Sequence, residues 1–144
     1  QSMAESLKAN GKTILAVDFN PEQVRRCKRR GLNVIYGDAN DAEFLHKLPL
    51  KKAKWIISAL PQHTSGILLE DPREMIIQGL KDTEYKGKIA IACHDDEDTK
   101  RFKKRGTNLI FQPFTDASNQ AVETLLAFKE EKKAVRKKKV TKKK

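Results

Sequence analysis

Only two cysteines occur in the chain, Cys27 and Cys93, and each falls inside a stretch that reads as a helix or a strand. Two isolated thiols argue against a disulfide framework and for reduced core residues in a cytosolic protein. No apolar run approaches the roughly 20 residues that a membrane helix needs. No signal-peptide pattern stands at the N-terminus. Ser58 and Ser65 have no nucleophile-elbow glycines around them. His46 and His63 have no partner at metal-ligand spacing. Also missing is any Gly-x-Gly-x-x-Gly, the loop that brings backbone amides up to a pyrophosphate.

What is present suits one α/β domain with a real core and a charged surface: 144 residues, 34% charged and 38% hydrophobic. The net charge of +11 is unevenly spread. From Lys129 to Lys144 there are ten Lys/Arg against two Glu, or +8, whereas the other 128 residues carry twenty Lys/Arg against seventeen Asp/Glu, or +3. The basicity belongs to a tail. We therefore expect a domain over residues 1–128 and a basic, low-complexity, disordered extension over 129–144. The body does not read as a nucleic-acid surface, and contact of the tail with nucleic acid or anionic lipid would be nonspecific.

Two apolar runs organise the chain. Thr13–Val17 ends in Asp18, and Asn33–Tyr36 ends in Gly37-Asp38. Between them Asn20-Pro21-Glu22-Gln23 has the chemistry of a helix start: Asn20 caps, Pro21 takes the first helical position, and Gln23 reaches back to the cap backbone. That helix runs to Arg30 with Val24 and Cys27 inward, and Gly31 stops it. Before it, Ser2–Asn10 reads as a helix with a stop at Asn10-Gly11. After it come a short helix over Asp41–Lys47 and a strand over Lys54–Leu60, the most convincing buried strand, broken at Pro61-Gln62-His63. A helix starting at Asp71-Pro72 follows, with Met75, Ile76 and Leu80 inward. Then come a strand over Lys88–Cys93, a helix over Asp95–Arg105 and a strand over Asn108–Phe111. From Asp116 the apolar Ala117, Ala121, Val122, Leu125 and Phe128 give a long amphipathic helix.

One segment recurs. Val24–Tyr36 matches Thr99–Phe111 at a fixed shift, through basic helix, glycine and apolar strand. The repeat puts Cys27 at the position of Phe102, which assigns Cys27 to packing. Strands alternating with helices at this spacing imply parallel pairing and right-handed crossovers, hence a Rossmann-like, doubly wound, mostly parallel sheet.

Open α/β sheets bind ligands at the carboxyl ends of their strands, where Asp18 and Gly37-Asp38 fall. Asp18 either accepts both hydroxyls of an adenosine ribose or is a turn residue that supports the Asn20 cap. A carboxylate there would repel a 2′-phosphate, which favours NAD or ATP/AMP over NADP. Gly37 suits a turn with φ > 0, and Asp38 either accepts from an adenine amino group or ends the strand. The acids of His94-Asp95-Asp96-Glu97-Asp98 have the look of an oxygen-ligand cation site, but capping of the next helix is the stronger reading.

The run Asp18-Phe19-Asn20-Pro21, then Arg30-Gly31, Tyr36-Gly37-Asp38-Ala39 and Phe44-Leu45, resembles the TrkA-N nucleotide-binding domain, also called RCK or KTN. Ala53–Leu60 looks like that family's fourth strand. Asp95–Asp98, Arg105-Gly106 and Pro113-Phe114 are similar to its last third. The likeness covers about residues 2 to 128. It implies a regulatory domain without catalysis that senses NAD(H) or an adenine nucleotide and controls a membrane-embedded potassium channel or cation/proton antiporter subunit. Such a domain sits at the cytoplasmic face of the membrane, and dimers are common. Under this resemblance Asp18 holds the ribose and Asp38 the adenine. Phe19, Asn20, Gly37 and Ala39 line the adenosine slot, and Ala59 and Leu60 lie over the nucleotide. The family's first strand and glycine-rich loop are missing, which implies an N-terminally truncated chain, a gap between the Thr13–Val17 and Lys54–Leu60 strands, and weak or absent nucleotide binding.

Two other classes remain. A fragment of an NAD-dependent oxidoreductase or epimerase would need a catalytic pair that Tyr36 and Tyr85, with no Lys at suitable spacing, do not provide. A nucleic-acid binder acting through the tail would show steep salt dependence.

Overall fold

The computed structural model describes residues 2–60 and 71–141, with side chains from residue 3 to 128. The broken end of the third strand at Pro61-Gln62-His63 and Ser65 lie outside the described residues. The observed elements are α1 (Ser2–Ala9), β1 (Ala16–Asp18), α2 (Pro21–Arg29), β2 (Val34–Tyr36), α3 (Ala42–Lys47), β3 (Trp55–Ser58), α4 (Pro72–Asp82), β4 (Lys88–Ala92), α5 (Asp96–Lys104), β5 (Leu109–Phe111) and α6 (Pro113–Thr141). A single 3₁₀ turn over Leu50–Lys52 joins α3 to β3.

The chain divides into two compact units. Residues up to Ile56, together with α4 up to Gly87, form the first; Ile57 onward in β3 and everything from Lys88 form the second. The strands divide as well, into a β1-β2 sheet and a β3-β4-β5 sheet. Pairing is parallel in β1-β2 (Ala16↔Val34, Val17↔Ile35, Asp18↔Tyr36) and in β4-β5 (Ala90↔Leu109, Ile91↔Ile110, Ala92↔Phe111). This is the α/β alternation and parallel pairing expected, with the strands in two sheets.

In the first unit α2 buries Val24 and Cys27 against Leu32 and Val34, with Ala4 and Ala16 packed alongside. Leu45 of α3 and Ile76, Ile77 and Leu80 of α4 are also buried. Gly79 lets these two helices approach, since a Cβ there would lie 2.5 Å from Leu45 Cδ1. In the second unit Ala90, Ile91, Cys93 and Phe102 have no solvent exposure.

Four expectations need correction. The first strand begins at Ala16 and not Thr13, and it includes Asp18. The stretch Lys54–Leu60 is a buried strand only in part. Only Trp55–Ser58 is extended, at the edge of its sheet, and Trp55 and Ile57 remain 43% and 38% exposed; the buried strand is β4. Met75 is exposed, and Ile77 takes the inward place on α4. Finally, α6 starts at Pro113, because Gln112 and Asp116 bond reciprocally: the Asp116 amide donates to the Gln112 carbonyl at 2.8 Å, and the Gln112 amide to Asp116 Oδ2 at 3.1 Å. The backbone of α6 stays helical past Phe128, to Thr141.

Four helices end by one device. The amides of Gly11, Gly31, Glu84 and Gly106 donate to Lys8, Lys28, Lys81 and Lys103, and the amides that follow donate to Leu7, Cys27, Leu80 and Phe102. The αL residue is glycine three times and Glu84, at φ 53, once. A side chain in αL costs about 1 kcal/mol over glycine. Glu84→Gly is therefore expected to stabilise the first unit by roughly 0.5–1 kcal/mol, read as a rise in the denaturation midpoint at constant slope.

Candidate functional site

The carboxyl ends of β1 and β2 carry the same local structure. Asp18 Oδ1 accepts the Asn20 amide at 2.8 Å, and Asp38 Oδ1 accepts the Asn40 amide at 2.8 Å. Each is an Asp-x-Asn turn in which the aspartate satisfies the backbone two residues on. In the first, Asn20 Oδ1 then accepts the Glu22 and Gln23 amides at 2.9 and 3.4 Å and opens α2. The reciprocal bond to the cap backbone comes from Asp18 and not from Gln23, because the Asn20 amide is already taken. In the second, Asp41 Oδ1 accepts the Glu43 and Phe44 amides and opens α3.

β1 and β2 are adjacent and in register, and the Gly37 amide donates to the Asp18 carbonyl at 3.2 Å. Asp18 is half-buried and Asp38 exposed. Among the described residues neither carboxylate has a further protein partner. Phe19 stands 59% exposed beside Asp18. Gly37 is buried and Ala39 half-buried between Gly37 and the second turn. The first unit thus brings together Asp18, Phe19, Asn20, Gly37, Asp38 and Ala39 on one rim. Ala59 and Leu60 follow β3 in the second unit, exposed and half-buried respectively.

Gly37 has a different role from the one expected. Among the described residues, positive φ is confined to Gly11, Gly31, Gly106 and Glu84. What Gly37 provides is room: a Cβ on it would lie 2.1 Å from the Phe44 ring. Gly37→Ala is expected to force Phe44 off its place and destabilise the first unit by about 1–3 kcal/mol, measurable by denaturant titration. Gly106→Ala, whose Cβ meets nothing within 4 Å, separates this clash from the backbone term of αL.

Two features of the first unit were not singled out from the sequence. Asn40, the twin of Asn20, has a buried Oδ1 with no hydrogen-bond partner; the repeated Asp-x-Asn was the available signal. The second is the pair at the start of α4. Arg73 is fully buried, its Nε lies 3.0 and 3.2 Å from Asp71 Oδ1 and Oδ2, and its Nη2 lies 2.6 Å from Oδ2. Asp71 Oδ1 also accepts the Arg73 amide and caps the helix. An Asp-Pro-Arg-Glu start reads only as a cap, and burial of its arginine has no sequence signature.

The acids at residues 95–98 do what their position at a helix start implies. Asp95 Oδ1 accepts the Asp98 amide at 2.7 Å, and Asp98 is buried against Arg101. No helix among the described residues is long and apolar enough to cross a membrane.

The family model for the TrkA-N domain matches residues 1–113. Among solved structures, the chain is similar to the NAD(P)-binding domain of an exopolyphosphatase-related protein from Archaeoglobus fulgidus, with a TM-score of 0.72 and 20% identity over 88% of each chain. It is similar also to the TrkA-N domain of the inner membrane protein ybaL from Escherichia coli, with a TM-score of 0.66 and 19% identity over 86% of this chain and 87% of that one. A third likeness, to the GsuK channel bound to NAD, has a TM-score of 0.63 and 17% identity, and covers 76% of this chain but 18% of the channel. No curated protein matches the chain. At these identities the solved structures speak for the Rossmann-like fold, and the family model speaks for membership: this chain belongs to the TrkA-N family of nucleotide-binding regulatory domains of potassium transport.

Proposed function

We propose that the chain is a cytoplasmic, non-catalytic regulatory domain. It binds the adenosine end of NAD(H), or an adenine nucleotide, on the β1-β2 rim and controls a membrane-embedded potassium channel or cation/proton antiporter subunit. One observation carries this reading. Two carboxylates at the ends of neighbouring parallel strands each commit one oxygen to the backbone, and among the described residues the other has no protein partner. A ribose diol is a pair of donors, and one carboxylate oxygen accepts both. Asp18 would hold the ribose and Asp38 the adenine amino group, with Phe19, Asn20, Gly37 and Ala39 around them. Both thiols are buried, which keeps Cys27 and Cys93 from any substrate.

These 144 residues contain no Gly-x-Gly-x-x-Gly to cradle a pyrophosphate, so affinity rests on the adenosine end. Calorimetric titration is expected to give a Kd for NADH on the order of 1 mM, a free energy near −4 kcal/mol. NADPH should bind at least about tenfold more weakly, since its 2′-phosphate meets the Asp18 carboxylate. Asp18→Ala should remove the NADH signal. Unchanged binding in that variant would defeat the reading, and micromolar affinity in the parent would defeat its reliance on adenosine alone.

A further inference from the structure

The charges of the first unit are sorted by edge. The turns at the carboxyl ends of β1 and β2, residues 18–23 and 37–43, hold five acids, Asp18, Glu22, Asp38, Asp41 and Glu43, and no Lys or Arg. The turns at the far ends of the helices reverse this. Residues 8–13 carry Lys8 and Lys12, and residues 28–33 carry Lys28, Arg29 and Arg30. Residues 46–55 carry Lys47, Lys51, Lys52 and Lys54. No Asp or Glu falls in any of these three segments, and all nine cations are exposed.

Topology puts the three turns on one edge. β1 and β2 are parallel and in register, so the turns that enter them, from α1 and from α2, lie side by side. Lys8 Nζ donates to the Gly31 carbonyl at 2.6 Å, and Arg30 pairs with Glu5 at 2.9 Å, which ties the two helix ends together. α3 leaves the acidic rim at its Asp41 cap, with Phe44 beside Gly37. It therefore delivers Lys47 and the turn that follows to the side away from the rim.

Lys8 and Arg30 serve the fold. Among the described residues the other seven pair with no carboxylate. Helix dipoles draw cations to a last turn and account for Lys28, Arg29 and Lys47. That attraction fades within a turn, so it does not account for Lys12, or for Lys51, Lys52 and Lys54 past the end of α3. The last three lead into Trp55, the chain's one tryptophan, which stays 43% exposed. An indole beside lysines suits the boundary between water and lipid, where the ring sits among headgroups and the ammonium groups reach phosphates. We propose that this edge of the first unit docks on a bilayer surface carrying anionic headgroups, with Trp55 entering the headgroup layer. Nucleic acid fits less well: a single strand needs a row of stacking rings along a basic groove, and the edge offers one indole and three separate turns. A leaflet of the same sign as the acidic rim keeps that rim turned toward solution. The inference goes beyond nucleotide sensing and does not depend on it.

Trp55 is its own reporter. The 144-residue chain is titrated with vesicles of phosphatidylcholine and phosphatidylserine while Trp55 emission is followed. Contact made only by the basic run after Phe128 leaves that emission unmoved. A blue shift is expected, with quenching by lipids brominated high on the acyl chain, and neither with phosphatidylcholine alone. Each Lys or Arg near an anionic leaflet is worth about fivefold in partitioning, so Lys51→Gln with Lys52→Gln and Lys54→Gln should raise the midpoint roughly fiftyfold or more. Lys28→Gln with Arg29→Gln, on the neighbouring turn, should raise it about tenfold or more. Far-UV spectra should be unchanged, because these side chains are exposed. Lys100→Gln with Lys103→Gln and Lys104→Gln removes as much charge from α5 of the second unit and should move the midpoint by no more than about twofold. Emission that ignores the vesicles, or shifts equally with phosphatidylcholine alone, would overturn the inference. So would midpoints unmoved in the edge variants, or an equal loss in the α5 variant. A single-stranded oligonucleotide that shifts Trp55 at lower phosphate concentration than the vesicles would reassign the edge to nucleic acid and overturn it as well.

Discussion

Asp71→Ala is expected to cost the first unit about 3–5 kcal/mol, because it takes a bidentate carboxylate from a guanidinium that has no solvent exposure. A typical domain has only about 5–15 kcal/mol in total, so the variant should sit near its unfolding threshold at room temperature. Two effects are combined in that number. Asp71 is both an ion-pair partner of Arg73 and the cap of α4, and loss of a cap alone is worth about 1 kcal/mol. Asp71→Asn separates them, since it keeps an acceptor for the Arg73 amide and removes the charge. The double variant Asp71→Ser with Arg73→Met should recover most of the loss, because a buried pair is favourable only against its half-broken forms. Chemical denaturation of the four proteins checks this. A loss under 1 kcal/mol in Asp71→Ala would show that other groups carry the Arg73 charge.

Phe102→Ala should cost the second unit a similar amount, about 3–5 kcal/mol, for it deletes a ring with no solvent exposure from the centre of α5. The Arg101 guanidinium lies 4.9 Å from the ring centroid, and its attraction to the ring face disappears with it. The repeat supplies a control. Cys27 occupies the same place on α2 and is 8% exposed, but Cys27→Ala removes one sulfur atom and should cost about 1 kcal/mol. Since the chain divides into two units, the damage should be local. Hydrogen exchange in Phe102→Ala is expected to quicken in β4, α5 and β5 before it changes in β1, α2 and β2. Uniform quickening across both sets would mean that the units unfold together.

The elements that the sequence made legible are those whose ends carry their own chemistry. Asn20-Pro21, Asp41 and Asp71-Pro72 each mark a helix start within a residue, and Gly11, Gly31 and Gly106 each mark a stop, because caps and αL turns are local. The internal repeat is repeated in structure too, for the backbone bonds that end α2 and α5 are alike. What failed depends on neighbours in space. β3 has an apolar run, Trp55-Ile56-Ile57, yet an edge position leaves half of it wet. The α6 stripe looked like a core face and is exposed over its whole described length. Gly37 was read through its own backbone, whereas its reason is the Phe44 ring seven residues away. At the candidate site the two aspartates were singled out by their place at strand ends, where the structure puts them. Asn40 and the buried Arg73 were not, because burial of a polar group is set by what packs around it.

The Asp-x-Asn turns have a further consequence. A carboxylate tied to an amide two residues on has its rotamer chosen before any ligand arrives. A partner that docks there freezes little new motion, a saving of about 0.5–1.5 kcal/mol for each side chain already immobilised. On the proposed reading the rim is a preset template, and a change as small as one methylene, Asp18→Glu, should loosen recognition while leaving charge and fold as they were.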